Sequence, residues 1–287
     1  MGRKVCCSDS SIRDNFVKIA VTGASGFIGT YVINELYKRD VEIIAISRTQ
    51  RSSTSMKLKN VKWIKIDISN PPQDCLNIIG NPDILIHLAW EGLPNYSSNH
   101  HIDKELPSHF NFLSSLINQG LDSLIAVGTC FEYGMQSGGL SVNHRTFPDN
   151  EYAIAKDTLH NQIRKLSKLH QIKLIWARLF YVYGVGQAES SLYSSLRKAI
   201  ERGDKIFKMS SGKQIRDFLP VEDAASALVD LVFDKEAKDV VNICSGRPIS
   251  VLELVEKFLK DNDWKIELAP GKIKYPDYEP HAFWGLK

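Results

Sequence analysis

The stretch Ile19-Ala20-Val21-Thr22-Gly23-Ala24-Ser25-Gly26-Phe27-Ile28-Gly29 runs from a short apolar segment into three glycines spaced G-x-x-G-x-x-G. Behind them, Tyr31-Val32-Ile33-Asn34-Glu35-Leu36-Tyr37 carries apolar residues at helical spacing. The pattern predicts strand, tight turn and helix. Gly23 allows the sharp exit from the strand. Gly26 removes bulk where a pyrophosphate would approach, and Gly29 lets the helix pack on the strand. Ser25, Phe27 and Ile28 complete the turn, and the helix start offers N–H groups and a partial positive charge to phosphates.

Glycines alone fit a ligand-free βα turn as well as a dinucleotide site. The next segment favours the site. Val41-Glu42-Ile43-Ile44-Ala45-Ile46 predicts a second strand ending in Ser47-Arg48. Arg48 falls 22 residues after Gly26, where a dinucleotide fold reads the ribose. An acid there would favour NAD(H). A guanidinium suits a 2′-phosphate, so NADP(H) is the preferred cofactor, with Ser47, Arg51 and Ser52 as further contacts. The alternative leaves Arg48 as a solvated strand-end charge.

Of the 287 residues, 43% are hydrophobic, enough for a sizeable core in one or two domains. A net charge of +3 gives no basis for nucleic-acid or membrane-surface binding. Cys6, Cys7, Cys75, Cys130 and Cys244 are scattered and odd in number. They suit neither zinc nor a disulfide framework, so no metal site is expected and a reducing, cytoplasmic setting is. No apolar run is long enough to span a membrane. Residues 1–15 are polar, lack a signal-peptide core and read as a flexible extension.

Strand-like and helix-like segments then alternate. Strands are expected at 61–66, 83–89, 123–128 and 173–179, the middle two buried on both faces. Helices are expected at 71–79, 106–119 and 152–170, with loops at 90–104 and 134–150. This predicts an α/β fold: a Rossmann-type doubly wound parallel sheet over 16–184, binding NADP. Residues 185–287 predict a smaller C-terminal α/β region, mainly for substrate and interleaved with the first. It would carry helices at 190–201, 221–233 and 250–262 and a strand at 240–243.

Three side chains carry candidate chemistry. Thr129 follows a core strand, where ligands bind in open α/β sheets. Tyr152 and Lys156 lie four residues apart on one helix face. Free phenols have a pKa of about 10, and a neighbouring ammonium lowers it. Tyr152 would then pass a proton to a carbonyl oxygen as hydride reaches its carbon, with Thr129 holding that oxygen. Lys156 would also hold the nicotinamide ribose. Y-x-x-x-K occurs about once per such chain by chance, so position gives it weight.

The chain resembles the extended short-chain dehydrogenase/reductases, the NAD-dependent epimerase/dehydratase family, over about Phe16 to Pro270. The matching pieces are Thr22 to Gly29, Asp67-Ile68, His87-Leu88-Ala89, Gly128-Thr129-Cys130-Phe131-Glu132-Tyr133-Gly134 and Tyr152-Ala153-Ile154-Ala155-Lys156. Further matches are Arg178-Leu179-Phe180-Tyr181-Val182-Tyr183-Gly184, Arg216 to Asp223 and Asn242 to Pro248. The resemblance implies that Asp67 and Ile68 meet the adenine. It places Leu88, Ala89 and Trp90 along the cofactor, and Phe180, Tyr181 and Val182 near the nicotinamide. Trp90, Thr129, Phe131, Tyr181 and Arg216 would face the substrate, Arg216 taking the diphosphate. The alternative for Arg216 is an ion pair with Asp217 or Glu222.

Departures narrow the activity. Cys130 and Phe131 replace the acid pair of the family's dehydratases. Phe131 also replaces the cysteine of members that epimerise beside a keto group, and no histidine follows Tyr183-Gly184. Cys130 reads as a packed thiol. The family continues with another helix where this chain ends, so a short or truncated C-terminus is expected. The resemblance is strongest to bacterial reductases of dTDP- or CDP-linked 4-keto-6-deoxyhexoses for surface polysaccharide (O-antigen). A 4-epimerase and a non-catalytic NADP-binding regulator are the alternatives. The helices at 106–119 and 152–170 would form a homodimer contact, with Phe110, Phe112, Leu113, Leu116 and Ile117 supplying excess apolar surface.

Overall fold

The continuous apolar runs become the strands of one parallel sheet. The computed structural model describes residues 17–49, 58, 60–275 and 279–287. The expected extension over 1–15, Cys6, Cys7, Arg51 and Ser52 lie outside the described residues. In chain order the elements are β1 (Lys18–Thr22), α1 (Phe27–Tyr37), β2 (Glu42–Ser47), β3 (Val61–Lys65), α2 (Cys75–Ile78) and β4 (Ile84–His87). Next come α3 (Leu106–Asn118), β5 (Ser123–Thr129), β6 (Gly138–Leu140), α4 (Glu151–His170), β7 (Lys173–Leu179) and β8 (Tyr181–Tyr183). The remainder is α5 (Leu192–Arg202), β9 (Ile206–Lys208), β10 (Ile215–Pro220), α6 (Val221–Phe233), β11 (Val240–Ile243), β12 (Pro248–Ser250), α7 (Val251–Asp261), β13 (Glu267–Ala269) and β14 (Phe283–Gly285).

The main sheet has the order β11-β7-β5-β4-β1-β2-β3, every neighbour parallel. The chain leaves β1 toward β3, then returns to the other side of β1 at β4. That reversal opens a crevice past Thr22 and His87, which are in register, where doubly wound sheets bind ligands. Both faces are covered. Val32, Ile33 and Leu36 of α1 meet Leu228 and Val229 of α6 over one face. Phe112, Leu113 and Leu116 of α3 and Leu159 and Ile163 of α4 cover the other. Each such buried side chain contributes about 1.5–3 kcal/mol. Past residue 184, α6 and β11 return to this sheet, while Leu196, Phe207, Leu254, Val255 and Phe258 form a separate apolar cluster.

Several expectations change. Phe112, Leu113 and Leu116 are fully buried and Ile117 nearly so, within the chain's own core. Helix α3 packs against both the sheet and its neighbour α4, so it needs more than one apolar stripe, and only Phe110 of the five keeps an open face. The expected loop at 90–104 ends in a π-helical turn, His101–Glu105, that runs into α3. The expected loop at 134–150 contains β6, which pairs with β14. The helix expected at 71–79 is a single turn.

Candidate active site

The glycine turn is closed by backbone contact. Gly23 has φ +67°, and a Cβ there would lie 2.8 Å from the Ala89 nitrogen. A Cβ on Gly29 would lie 2.1 Å from the Gly23 carbonyl oxygen. The Gly26 N–H donates to the Gly23 carbonyl at 2.9 Å. Gly26 also caps α1, and no side chain satisfies that helix end. The start of α1 thus lacks a side-chain cap, and Gly26 puts no Cβ in front of it, a cradle that fits a pyrophosphate.

Around it, the Leu88 N–H donates to the Thr22 carbonyl at 3.3 Å, and the Ala89 N–H to the Thr22 hydroxyl at 3.4 Å. The Ser47 hydroxyl donates to the Thr49 carbonyl. Arg48 is exposed and paired with Glu91. Hydrogen bonds from the Ser69 hydroxyl and N–H hold the Asp67 carboxyl below the usual carboxylate range. Ile68 is partly buried against the apolar cluster on the α3–α4 side of the sheet.

Helix α4 starts where Asn150 accepts from the Ala153 N–H at 3.0 Å, which puts Tyr152 in its first turn. Tyr152 is buried among Trp90, Tyr96 and His101, with its phenol in hydrogen-bonding reach of the Thr129 hydroxyl. Lys156 follows one turn later, also buried. Its ammonium does not sit on the phenol as expected. Nζ reaches down to β5 and donates to the Val127 carbonyl at 2.9 Å, 4.0 Å from the centre of the Trp90 ring. Burial is the largest influence on both groups. It pushes the phenol well up and the ammonium down to about 7. The expected lowering of the phenol is thus corrected: in this state Tyr152 is a protonated donor at neutral pH.

Thr129 is fixed by a residue to which the sequence reading gave no role. Glu132 Oε1 accepts the Thr129 N–H at 2.8 Å, and Glu132 Oε2 lies 2.7 Å from Arg178 Nε. Trp176 donates to the same carboxylate at 3.0 Å. Thr129 caps the 3-10 turn Cys130–Tyr133, completing a capping box. The Thr-x-x-Glu spacing was a visible signal for it. Cys130 is a buried thiol among Tyr133, Leu140, Phe180, Cys244 and Phe283, its pKa raised by burial.

On the substrate side, Tyr181 touches Phe131 and Phe218 edge-on. Val182, half-buried, packs against the core cluster that α1 and α6 share with the sheet. Arg216 is buried and engaged, but with neither Asp217 nor Glu222. Its Nη2 lies 2.8 Å from Glu279 Oε2 and also donates to the Tyr275 hydroxyl, while Nη1 donates to the carbonyls of Ile215 and His281. Asp217 instead accepts from Ser245, Gly246 and Gly285. The cause is the returning C-terminal segment, which the pattern past Gly184 did not foretell.

A glycine-turn cradle at the switch point of a doubly wound sheet, facing a buried Thr-Tyr-Lys cluster, defines a dinucleotide-binding α/β protein. The model of the NAD dependent epimerase/dehydratase family matches residues 19–244, and the chain belongs to that family. It is 29% identical over 273 residues to dTDP-6-deoxy-L-talose 4-dehydrogenase (NAD(+)) of Aggregatibacter actinomycetemcomitans, covering 94% of this chain and 100% of the relative. It is 26% identical over 219 residues to CDP-abequose synthase of Salmonella typhimurium, covering 76% and 71%. The Bacillus cereus UDP-glucuronic acid 4-epimerase, solved with UDP-glucuronic acid and NAD, shares the fold at TM-score 0.80 and 23% identity, over 93% of this chain and 90% of that one. Among the described residues no helix is long and apolar enough to cross a membrane.

Proposed function

We propose that this chain reduces the C4 keto group of a nucleotide-activated 4-keto-6-deoxyhexose, dTDP- or CDP-linked, using NADPH. The product would serve bacterial surface polysaccharide synthesis. The observation that carries this reading is the buried Tyr152 phenol within hydrogen-bonding reach of the Thr129 hydroxyl, at the C-terminal end of β5. The relatives' names, a dTDP-6-deoxyhexose 4-dehydrogenase and a CDP-sugar synthase, support the substrate class.

The turn from Gly23 to Gly29 would hold the pyrophosphate, Asp67 and Ile68 the adenine, Ser47 and Arg48 the ribose phosphate, and Phe180 and Val182 the nicotinamide end. The bound cofactor supplies hydride. Thr129 holds the carbonyl oxygen, and Tyr152 gives its proton to that oxygen as C4 takes hydride, so the ketone becomes a secondary alcohol. The phenolate left behind is stabilised by the nearby Lys156 ammonium. Arg216 would exchange Glu279 for the substrate diphosphate. The Arg48–Glu91 ion pair favours a second reading, in which Arg48 is neutralised and NADH serves.

The test is cofactor oxidation against a panel of dTDP-, CDP-, GDP- and UDP-linked 4-keto-6-deoxysugars, with NADPH and NADH in parallel. One cofactor oxidised per sugar reduced supports the reading. Sugar turnover without net cofactor loss would make the chain a 4-epimerase, and no turnover with tight cofactor binding a regulator. The same reading includes a homodimer through α3 and α4, carried by Phe110 and the exposed Ile154. Burial of about 800 Å² per subunit would suffice. Sedimentation at the 32.4 kDa chain mass would reject it.

A further inference from the structure

One set of buried polar side chains that this reaction leaves unused lies beside Trp90. Thr22 Oγ1 is 2.8 Å from His87 Nδ1, and His87 Nε2 is 2.7 Å from His109 Nδ1. His109 Nε2 is 3.2 Å from Glu105 Oε2. This chain of contacts crosses from β1 through β4 and α3 to the π-helical turn, and all four side chains are buried.

Each contact needs one donor and one acceptor, and the carboxylate decides which is which. Burial raises the Glu105 carboxyl, but hydrogen bonds from His109 and the Glu91 N–H outweigh it and hold the pKa at about 2. Glu105 therefore only accepts, and the proton of His109 sits on Nε2. Burial and nearby Lys156 keep that ring neutral, so Nδ1 is bare and accepts from His87 Nε2–H. His87 Nδ1 is then bare in turn and accepts the Thr22 hydroxyl proton. One carboxylate fixes the proton on every member.

Glu105 also holds Trp90 from two sides. Its Oε2 accepts the N–H of Glu91, the next residue, at 2.8 Å. The His109 ring it orients stacks on the Trp90 indole at 4.5 Å and 21°. The indole N–H donates to His101 Nδ1 at 3.1 Å. Lys156 rests on this indole.

We propose that Glu105 is a positioning residue for the acid–base pair, fixing Trp90 as the platform that locates the Lys156 ammonium. This rests on the role of Lys156 given above. The groups around Lys156 are Glu105 from the π-helical turn, Glu132 from the 3-10 turn, His87 from β4, His109 from α3 and Tyr152 from its own helix. Glu132 is matched by Arg178, whereas the ion-pair partners of Glu105 are His100 and His109, and Glu91 beside it is taken by Arg48. Glu132 and Glu105 both favour the ammonium, and Glu105 is the one of the two without an arginine partner.

Two measurements on the substrate-free protein test this. Side-chain 15N spectra of the wild type should show His87 and His109 neutral at pH 7, each protonated on Nε2. A proton on Nδ1 of either ring would overturn the proposal, whether or not any variant folds. Lysine 13Cε titration should show Lys156 deprotonating about 0.5–1 pH unit lower in Glu105→Gln, because a favouring negative charge is lost. Glu105→Asp should restore the wild-type titration. In turnover, the alkaline limb should move down by the same interval in Glu105→Gln. An unchanged Lys156 titration would overturn the proposal, and because it is read without substrate it is separate from whether a keto sugar is reduced.

Discussion

The glycine turn and the Arg216 pocket are built by opposite means. The turn consists of neighbours in sequence, Thr22 to Gly29, and its contacts are backbone on backbone, with the Gly29 Cβ position 2.1 Å from the Gly23 carbonyl. The Arg216 pocket is gathered from Tyr181, Tyr275, Glu279, His281 and Phe283, with Glu279 lying 63 residues beyond its partner. The turn works through what is missing, a Cβ. The pocket works through charge that is already matched. The first tolerates no added atom, and the second tolerates no lost partner.

Removing a partner should have the larger effect. Arg216→Met leaves Glu279 in a largely buried site without its cation, which costs about 3–5 kcal/mol. Denaturant unfolding should read that loss. A loss below about 1 kcal/mol would show an exposed-type pair and weaken the contrast. Gly29→Ala adds one methyl group against backbone that cannot swing away, at about 1–3 kcal/mol of overpacking. Cofactor affinity should fall about 10–100-fold, the same energy expressed as binding. Wild-type affinity in this variant would mean the turn is not the cradle. Arg48→Asp, at the rim of the turn, should have the smallest effect on the whole molecule. It should weaken NADPH about tenfold more than NADH, since a like charge would meet the 2′-phosphate. Equal weakening of both would favour the NAD reading.

Legibility in the sequence follows the same division. Parallel strands buried on both faces read as unbroken apolar runs, so β4 and β5 stood out, and α1 and α4 kept a helical period. The three-residue strands β6 and β14 have no such pattern, since each exists by pairing with residues far along the chain, Gly138 with Phe283. The π-helical turn His101–Glu105 is polar and lacks an apolar period, so Glu105 and the histidines it orders were not visible. Spacing placed Tyr152 and Lys156 on one helix face. It did not reveal that the long Lys156 side chain would reach the Val127 carbonyl instead of the phenol. Glu132 was legible as the end of a Thr-x-x-Glu capping box, and only its burial against Arg178 showed how firmly it holds Thr129.

The central claim is that Tyr152 is the proton donor to the reduced oxygen. The direct measurement is turnover of Tyr152→Phe on the sugar nucleotide found by the panel, alongside cofactor affinity of the same variant. The phenol oxygen is lost while the buried ring remains. Cofactor affinity should therefore stay within about twofold, and turnover should fall at least ~10²-fold, the low end for losing a general acid. Turnover equal to wild type with cofactor bound would contradict the account.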